Sequence, residues 1–134
     1  MPPTTSRDFQ RAAAPRFATA EFLLANTYTL DAQYLAGYTV ECSLKALILE
    51  ITPVADRSDQ LDKMCSGAKM HRPEVLLDIL RSKGIRMPLS LVQRFRRFSW
   101  STDLRYETGR RDKGETRAFL KTAQETYEWV EKSQ

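Results

Sequence analysis

The chain offers few side chains that can do chemistry, and most of them are cations. Its one histidine, His71, stands in HRPE, directly ahead of a helix that a proline opens. A lone histidine there serves as a cap or as the partner of a carboxylate. As a catalyst it would work neutral, as a base, because helix-start amides disfavour the imidazolium. The two cysteines, Cys42 and Cys65, lack CxxC spacing and a histidine beside them. No metal site is expected from them, and Cys42 reads as a reduced, structural thiol. No glycine-rich loop follows a strand, and no Ser-His-Asp or Cys-His order is present. No cofactor is expected, and the common enzyme classes are unsupported.

Arginines are the stronger lead. Between Arg81 and Arg117 there are 11 Lys or Arg against 4 Asp or Glu, leaving 10 against 13 in the rest of a chain of net charge +4. Arg94, Arg96, Arg97, Arg105, Arg110, Arg111 and Lys113 are interleaved with Phe95, Phe98, Trp100 and Tyr106. Guanidinium groups grip phosphate through a planar fork of donors, and aromatic rings beside them can stack bases. The plainer alternative is a solvated cationic face over core aromatics. Helical spacing points Phe95 and Phe98 inward, whereas Trp100, Arg105 and Tyr106 fall where the periodicity breaks, which favours a binding role. Arg97, Arg105, Tyr106, Arg110, Arg111 and Lys113 are the residues expected to hold RNA or a nucleotide phosphate. Catalysis, if present, would draw on His71, Arg105 and Tyr106.

A second set of polar groups sits in the least polar stretch, Leu30 to Ile51. On a helix, Val40, Leu44, Leu47, Ile48 and Ile51 gather on one flank and Leu35, Cys42 and Leu49 on the other. Ala32, Thr39, Ser43 and Glu50 would mark a narrow wet strip. Between the apolar flanks, within about 40° of Tyr34, lie Tyr38, Glu41 and Lys45. Buried charges cost several kcal/mol each unless paired, so this stripe is either an intrahelical brace or the floor of a polar pocket. In the pocket reading, Tyr38, Glu41 and Lys45 would share one site with Arg105 and Tyr106.

The elements that would position these groups are all helical. Pro15 suits the first turn of a helix carrying Phe17, Ala20, Leu24 and Tyr28, after a frayed or short helical lead over residues 1–14. Asp31 is a plausible N-cap for the central helix, and the short link makes the two helices antiparallel. Val54 to Lys69 reads as a loop with room for one helical turn at Asp59 to Met64. A helix from Pro73 closes at Gly84, Pro88 opens the next, Thr108 to Gly114 forms a loop, and a last helix starts at Glu115. The expected fold is an all-α, up-and-down bundle of four to five helices over residues 15–132, centred on Leu30 to Ile51. Length, the 42% hydrophobic content and the lack of a membrane span or signal core suggest one cytoplasmic domain with no membrane partner.

Three stretches together resemble the HEPN (higher eukaryotes and prokaryotes nucleotide-binding) domain family. They are YLAGYTVECSLKALI at Tyr34 to Ile48, HRPEVLLDIL from His71, and WSTDLRY at Trp100 to Tyr106. The resemblance spans roughly Phe17 to Val130, and the G-Y-x-x-E-x-x-L-K-A pattern is its most specific part. It implies a helical bundle that commonly forms a homodimer, in a family of RNA-cleaving toxins, defence ribonucleases and partners of minimal nucleotidyltransferases. Ribonuclease members carry an arginine followed four to six residues later by histidine. Here Arg105 is followed by Tyr106, Glu107 and a basic loop, and no histidine follows His71. The function expected is an RNA- or nucleotide-phosphate-binding module of a bacterial toxin–antitoxin or defence system. The alternatives are a metal-independent ribonuclease with an atypical site and a structural partner of a nucleotidyltransferase.

Overall fold

Thr5 decides where the first helix begins. Its hydroxyl accepts the Asp8 N–H at 3.1 Å while the Asp8 carboxylate accepts the Thr5 N–H at 3.2 Å, a reciprocal capping box. Helix α1 therefore runs Ser6–Ala25, with Pro15 inside it rather than at its first turn as the sequence suggests. An interior proline removes one hydrogen bond. Here Pro15 and Arg11, whose carbonyl loses its donor, are both exposed, so the lost bond falls on the solvent side while Phe9 and Ala13 on the other face enter the core. The computed structural model describes residues 2–66, 71–98 and 100–134, and over these the protein is all α-helical.

Helix α2, Thr29–Ile51, is the centre of the bundle and is buried almost continuously from Ala32 to Leu49. Asp31 lies in its first turn, and Tyr28 occupies the N-cap position without a side-chain cap. Tyr28 is also exposed, not part of the buried face expected for α1. The expected wet strip is corrected more sharply, since Ala32, Thr39 and Ser43 are buried and only Glu50 meets water. Their small side chains let α1 lie close against α2, and their hydroxyls are satisfied locally. Ser43 Oγ donates to the Thr39 carbonyl at 2.7 Å, and Thr39 Oγ1 to that of Leu35 at 3.1 Å. Ser6 Oγ donates to the Ala46 carbonyl at 2.8 Å, fixing α1 antiparallel to α2.

A 3-10 turn, Val54–Asp56, and helix α3, Arg57–Cys65, occupy much of what reads as a loop; residues 67–69 of that loop lie outside the described residues. Helix α4, Pro73–Ser82, ends as expected at Gly84, whose φ of 85° permits the Ile85 N–H to reach the Leu80 carbonyl at 2.9 Å. Pro88 precedes helix α5, Leu89–Arg96. Helix α6, Lys113–Lys132, begins two residues before Glu115 because Asp112 caps it, accepting the Glu115 N–H at 2.8 Å. Gln33 donates to Thr116 at 2.9 Å in the core, so α2 and α6 start at the same end of the bundle. Phe119 of α6 packs on Phe95 and Phe98, with ring centroids 5.6 and 4.7 Å away. Six α-helices are thus present among the described residues, α3 being the addition to the four or five expected.

Gly37, in the middle of α2, has a steric reason. A Cβ there would lie 2.0 Å from Trp100 Cε2 and Nε1, so the indole sits directly on the helix backbone. Tyr34 stacks on the same indole at 6.0 Å and Tyr38 meets it edge-on at 6.5 Å. Gly to Ala inside a helix normally stabilises by up to about 1 kcal/mol. Gly37→Ala should instead destabilise, by about 1–3 kcal/mol or more from overpacking. Urea unfolding would measure it, and in a Trp100→Leu background, where a smaller side chain can yield, most of the loss should disappear. An equal loss in both backgrounds would refute the contact as its cause.

Candidate functional site

Helical geometry brings Tyr38, Glu41 and Lys45 onto one side of α2, which α4 and His71 ahead of it approach. Glu41 and Lys45 are 3% exposed each and form an ion pair of 2.8 Å through Oε2 and Nζ. The same Oε2 receives His71 Nδ1 at 2.9 Å, from the residue that leads into α4. An ionised carboxylate only accepts, so Nδ1 carries the hydrogen in this pair and Nε2 is left outside it. The His71 side chain is 38% exposed, against 4% for the Glu41 side chain. One buried carboxylate oxygen thus holds an ammonium inside the protein and an imidazole at its edge. The second oxygen, Oε1, is buried with no partner among the described residues. An orphaned acceptor of this kind costs about 1–3 kcal/mol.

The neighbouring groups feel the same burial. Burial pushes the Cys42 thiol up to about 11, and the Glu41 carboxylate adds to the effect. Cys42 is thus a protonated, unreactive thiol at neutral pH, and both cysteines are free. Burial also raises the Tyr34 hydroxyl above its usual value, with Tyr38 adding to the rise and the Arg105 guanidinium opposing it.

That influence shows how the arginine-rich segment runs. Trp100 is seated on Gly37, Arg105 lies within electrostatic reach of Tyr34, and the Arg111 N–H donates to Thr29 Oγ1 at 2.8 Å. The segment therefore descends α2 from its middle to its first turn. Between these anchors lies a 3-10 turn, Thr102–Tyr106, in which Arg105 Nε donates to the Thr102 carbonyl at 3.1 Å. The Arg105 guanidinium lies 5.4 Å from the centre of the Tyr106 ring, and that ring is 78% exposed.

The expected site residues therefore separate into two neighbourhoods on one side of α2. Tyr38, Glu41, Lys45 and His71 form the upper one. Arg105 and Tyr106 lie roughly 10 Å lower along the axis, judged from the rise between Tyr34 and Glu41. They do not line one open pocket with Glu41 and Lys45, because those two are sealed in the core. Arg110, Arg111 and Lys113 are exposed on the loop and the first turn of α6, with Arg111 paired to Glu107. Arg97 is exposed at the end of α5, and among the described residues no salt bridge joins it to the others. Of the four interleaved aromatics, Phe95 and Trp100 are core and Phe98 is half-buried against it, so the expectation that Trp100 stacks a ligand is overturned. Tyr106 alone of the four is free to do so. Arg117 and Lys121, missed by the sequence reading, continue the cationic surface along α6 at one-turn intervals from Lys113. Their spacing was the available signal.

The structure is thus a helical bundle with a charged cluster inside its central helix and an arginine-rich edge running down the same side. Its family is specific: the family model of the HEPN domain matches residues 6–133, and the chain belongs to that family. Membership supports a nucleotide- or RNA-related role in general terms. No curated protein and no solved structure matches the chain. Among the described residues no helix is long and apolar enough to cross a membrane, and no cluster of potential metal ligands is present.

The energetics of the cluster are testable. Removing Lys45 strands Glu41 as a buried charge, so Lys45→Met should destabilise by about 3–5 kcal/mol. Replacing both partners, in Glu41→Leu/Lys45→Met, should restore most of the loss, because apolar packing substitutes for a buried pair at little net cost. Chemical denaturation of the parent and both variants would check this. A double variant as unstable as the single one would mean that His71 and the surrounding dipoles, not the pair, set the local stability.

Proposed function

We propose that the protein is a binding module for RNA or a nucleotide phosphate, with Arg105, Tyr106, Arg110, Arg111 and Lys113 as its contact residues. One observation carries this reading. Tyr106 is a large aromatic held 78% exposed with Arg105 over its ring, where it contributes little to the core. A guanidinium beside an open aromatic face suits phosphate and base together. The adjoining loop adds Arg110 and Lys113, neither ion-paired among the described residues. In this reading the protein acts in the cytoplasm as a homodimer, in a bacterial toxin–antitoxin or defence setting. Single-stranded RNA binding measured across a salt series, without added metal, is the test. Tyr106→Ala should cost about 1–3 kcal/mol through lost stacking. Arg105→Ala should flatten the dependence of log K on log salt by about 0.7. Unchanged affinity in both variants would refute the assignment.

A second reading, a metal-independent ribonuclease, draws on the Glu41–His71 contact. A buried carboxylate that fixes an imidazole at Nδ1, leaving Nε2 as acceptor, is the arrangement of a general base. Arg105 would then have to meet the same phosphate from below. His71→Ala should abolish cleavage of RNA while preserving RNA affinity within about threefold. Cleavage at the parental rate in that variant would eliminate His71 as the base.

A further inference from the structure

Beyond the loop, the cationic surface does not stop. Lys113, Arg117 and Lys121 form a ladder on the exposed side of α6, one turn apart over about 12 Å. They line one wall of a groove of about 390 Å³ between α6 and α1, whose apolar lining includes Phe17, Leu24 and Leu120. Like charges at i, i+4 spacing oppose helix formation, so such a ladder normally needs acidic neighbours. Here three of the nearby acids are committed elsewhere, and Glu115, between Lys113 and Arg117 in sequence, pairs with neither of them among the described residues. Asp112 caps the helix, Glu107 is paired with Arg111, and Glu125, one turn beyond Lys121, is paired with Arg94. None of the three ladder cations has a salt-bridge partner among the described residues. Glu21 lies in the same groove and forms no salt bridge among the described residues.

We propose that this groove is a second binding surface, a track for the sugar-phosphate backbone of single-stranded RNA continuing from Tyr106 and the Arg110–Arg111 loop. This rests on the function proposed above and extends its site. The turn-to-turn spacing of the ladder is close to the separation of successive phosphates in an extended strand, and Lys113 belongs to both the loop and the groove. The apolar lining supplies one aromatic face, Phe17, for a base. Glu21 confines the backbone to the α6 wall, because a carboxylate on α1 repels phosphate across the groove. An acidic protein segment is the competing occupant, but the continuity with the basic loop favours RNA.

Fluorescently labelled single-stranded RNAs of about 4 and about 16 nucleotides, matched in composition, separate the two surfaces. The short strand reports the Tyr106 and loop site, and the long strand adds the track. Arg117→Ala/Lys121→Ala should leave binding of the short strand unchanged. For the long strand it should lower affinity and flatten the salt dependence by about 1.4. Glu21→Gln should tighten binding of the long strand alone. If the long strand binds no better than the short one, or loses nothing in the double variant, the track is refuted while the primary site stands, and the ladder becomes a seat for an acidic protein partner. If neither strand binds the parent protein, both proposals fail. Thermal unfolding of the exposed-site variants should match the parent, so a loss of binding cannot be ascribed to misfolding.

Discussion

A buried ion pair on a helix that has almost no exposed face is the constraint that shapes this bundle. From Ala32 to Leu49, α2 is enclosed on nearly every side, so Glu41 and Lys45 cannot reach water by choosing a rotamer. Their attraction offsets much of the desolvation only because they lie at i and i+4, in the favourable order, within hydrogen-bonding distance. His71 enters this arrangement from the chain that leads into α4, and so couples the position of that helix to the charge on Glu41. Among the described residues the second carboxylate oxygen has no partner.

The second constraint is the close approach at Gly37. An indole lying on helix backbone fixes the height at which the chain after α5 meets α2, and everything downstream inherits that height. Arg105 lies within electrostatic influence of Tyr34 and the Arg111 amide reaches Thr29 because the segment starts from Trp100 and has only a short 3-10 turn and a six-residue loop before α6 begins. The core aromatic and the exposed aromatic thus have divided roles. Trp100 anchors, and Tyr106, six residues on, is what the anchor presents.

Much of this was legible in the sequence, and the exceptions have physical reasons. The Tyr38, Glu41 and Lys45 alignment follows from helical period alone, because a long apolar helix leaves no doubt about its phase. The Gly84 stop and the Pro88 start were equally readable from backbone chemistry. Ala32, Thr39 and Ser43 were misplaced because small side chains serve both wet surfaces and tight helix contacts, and only the presence of α1 decides between them. Pro15 misled because propensity weighs one lost hydrogen bond and cannot see Phe9 and Ala13 entering the core beyond it. Trp100 falls outside any periodic element, so the pattern that identified Phe95 as core had nothing to say about it. Lys121 lies beyond the dense run of basic residues along the chain, and helical phase rather than local charge density puts it in the groove.

The division between sealed and open charge also bears on how such a protein would act on an anion. Coulomb attraction between exposed cations and phosphate is screened within about 10 Å at ordinary ionic strength, so Arg110, Lys113, Arg117 and Lys121 act on a strand only over that short range. In the proposed readings they would supply encounter and length dependence, not chemistry. Glu41 and Lys45 are shielded from that screening but sum to little net charge, so their field is local and directed through His71. A ligand drawn to the arginine edge would therefore meet strong but unspecific attraction there. In the proposed readings, stacking on Tyr106 and proton transfer at His71 would add to that attraction, and the stretch of α2 between Tyr34 and Glu41 separates the two. Among the described residues, the aromatic cluster of Tyr34, Tyr38 and Trp100 occupies that stretch. Its packing sets the distance between the screened attraction of the surface and the fixed dipoles of the core.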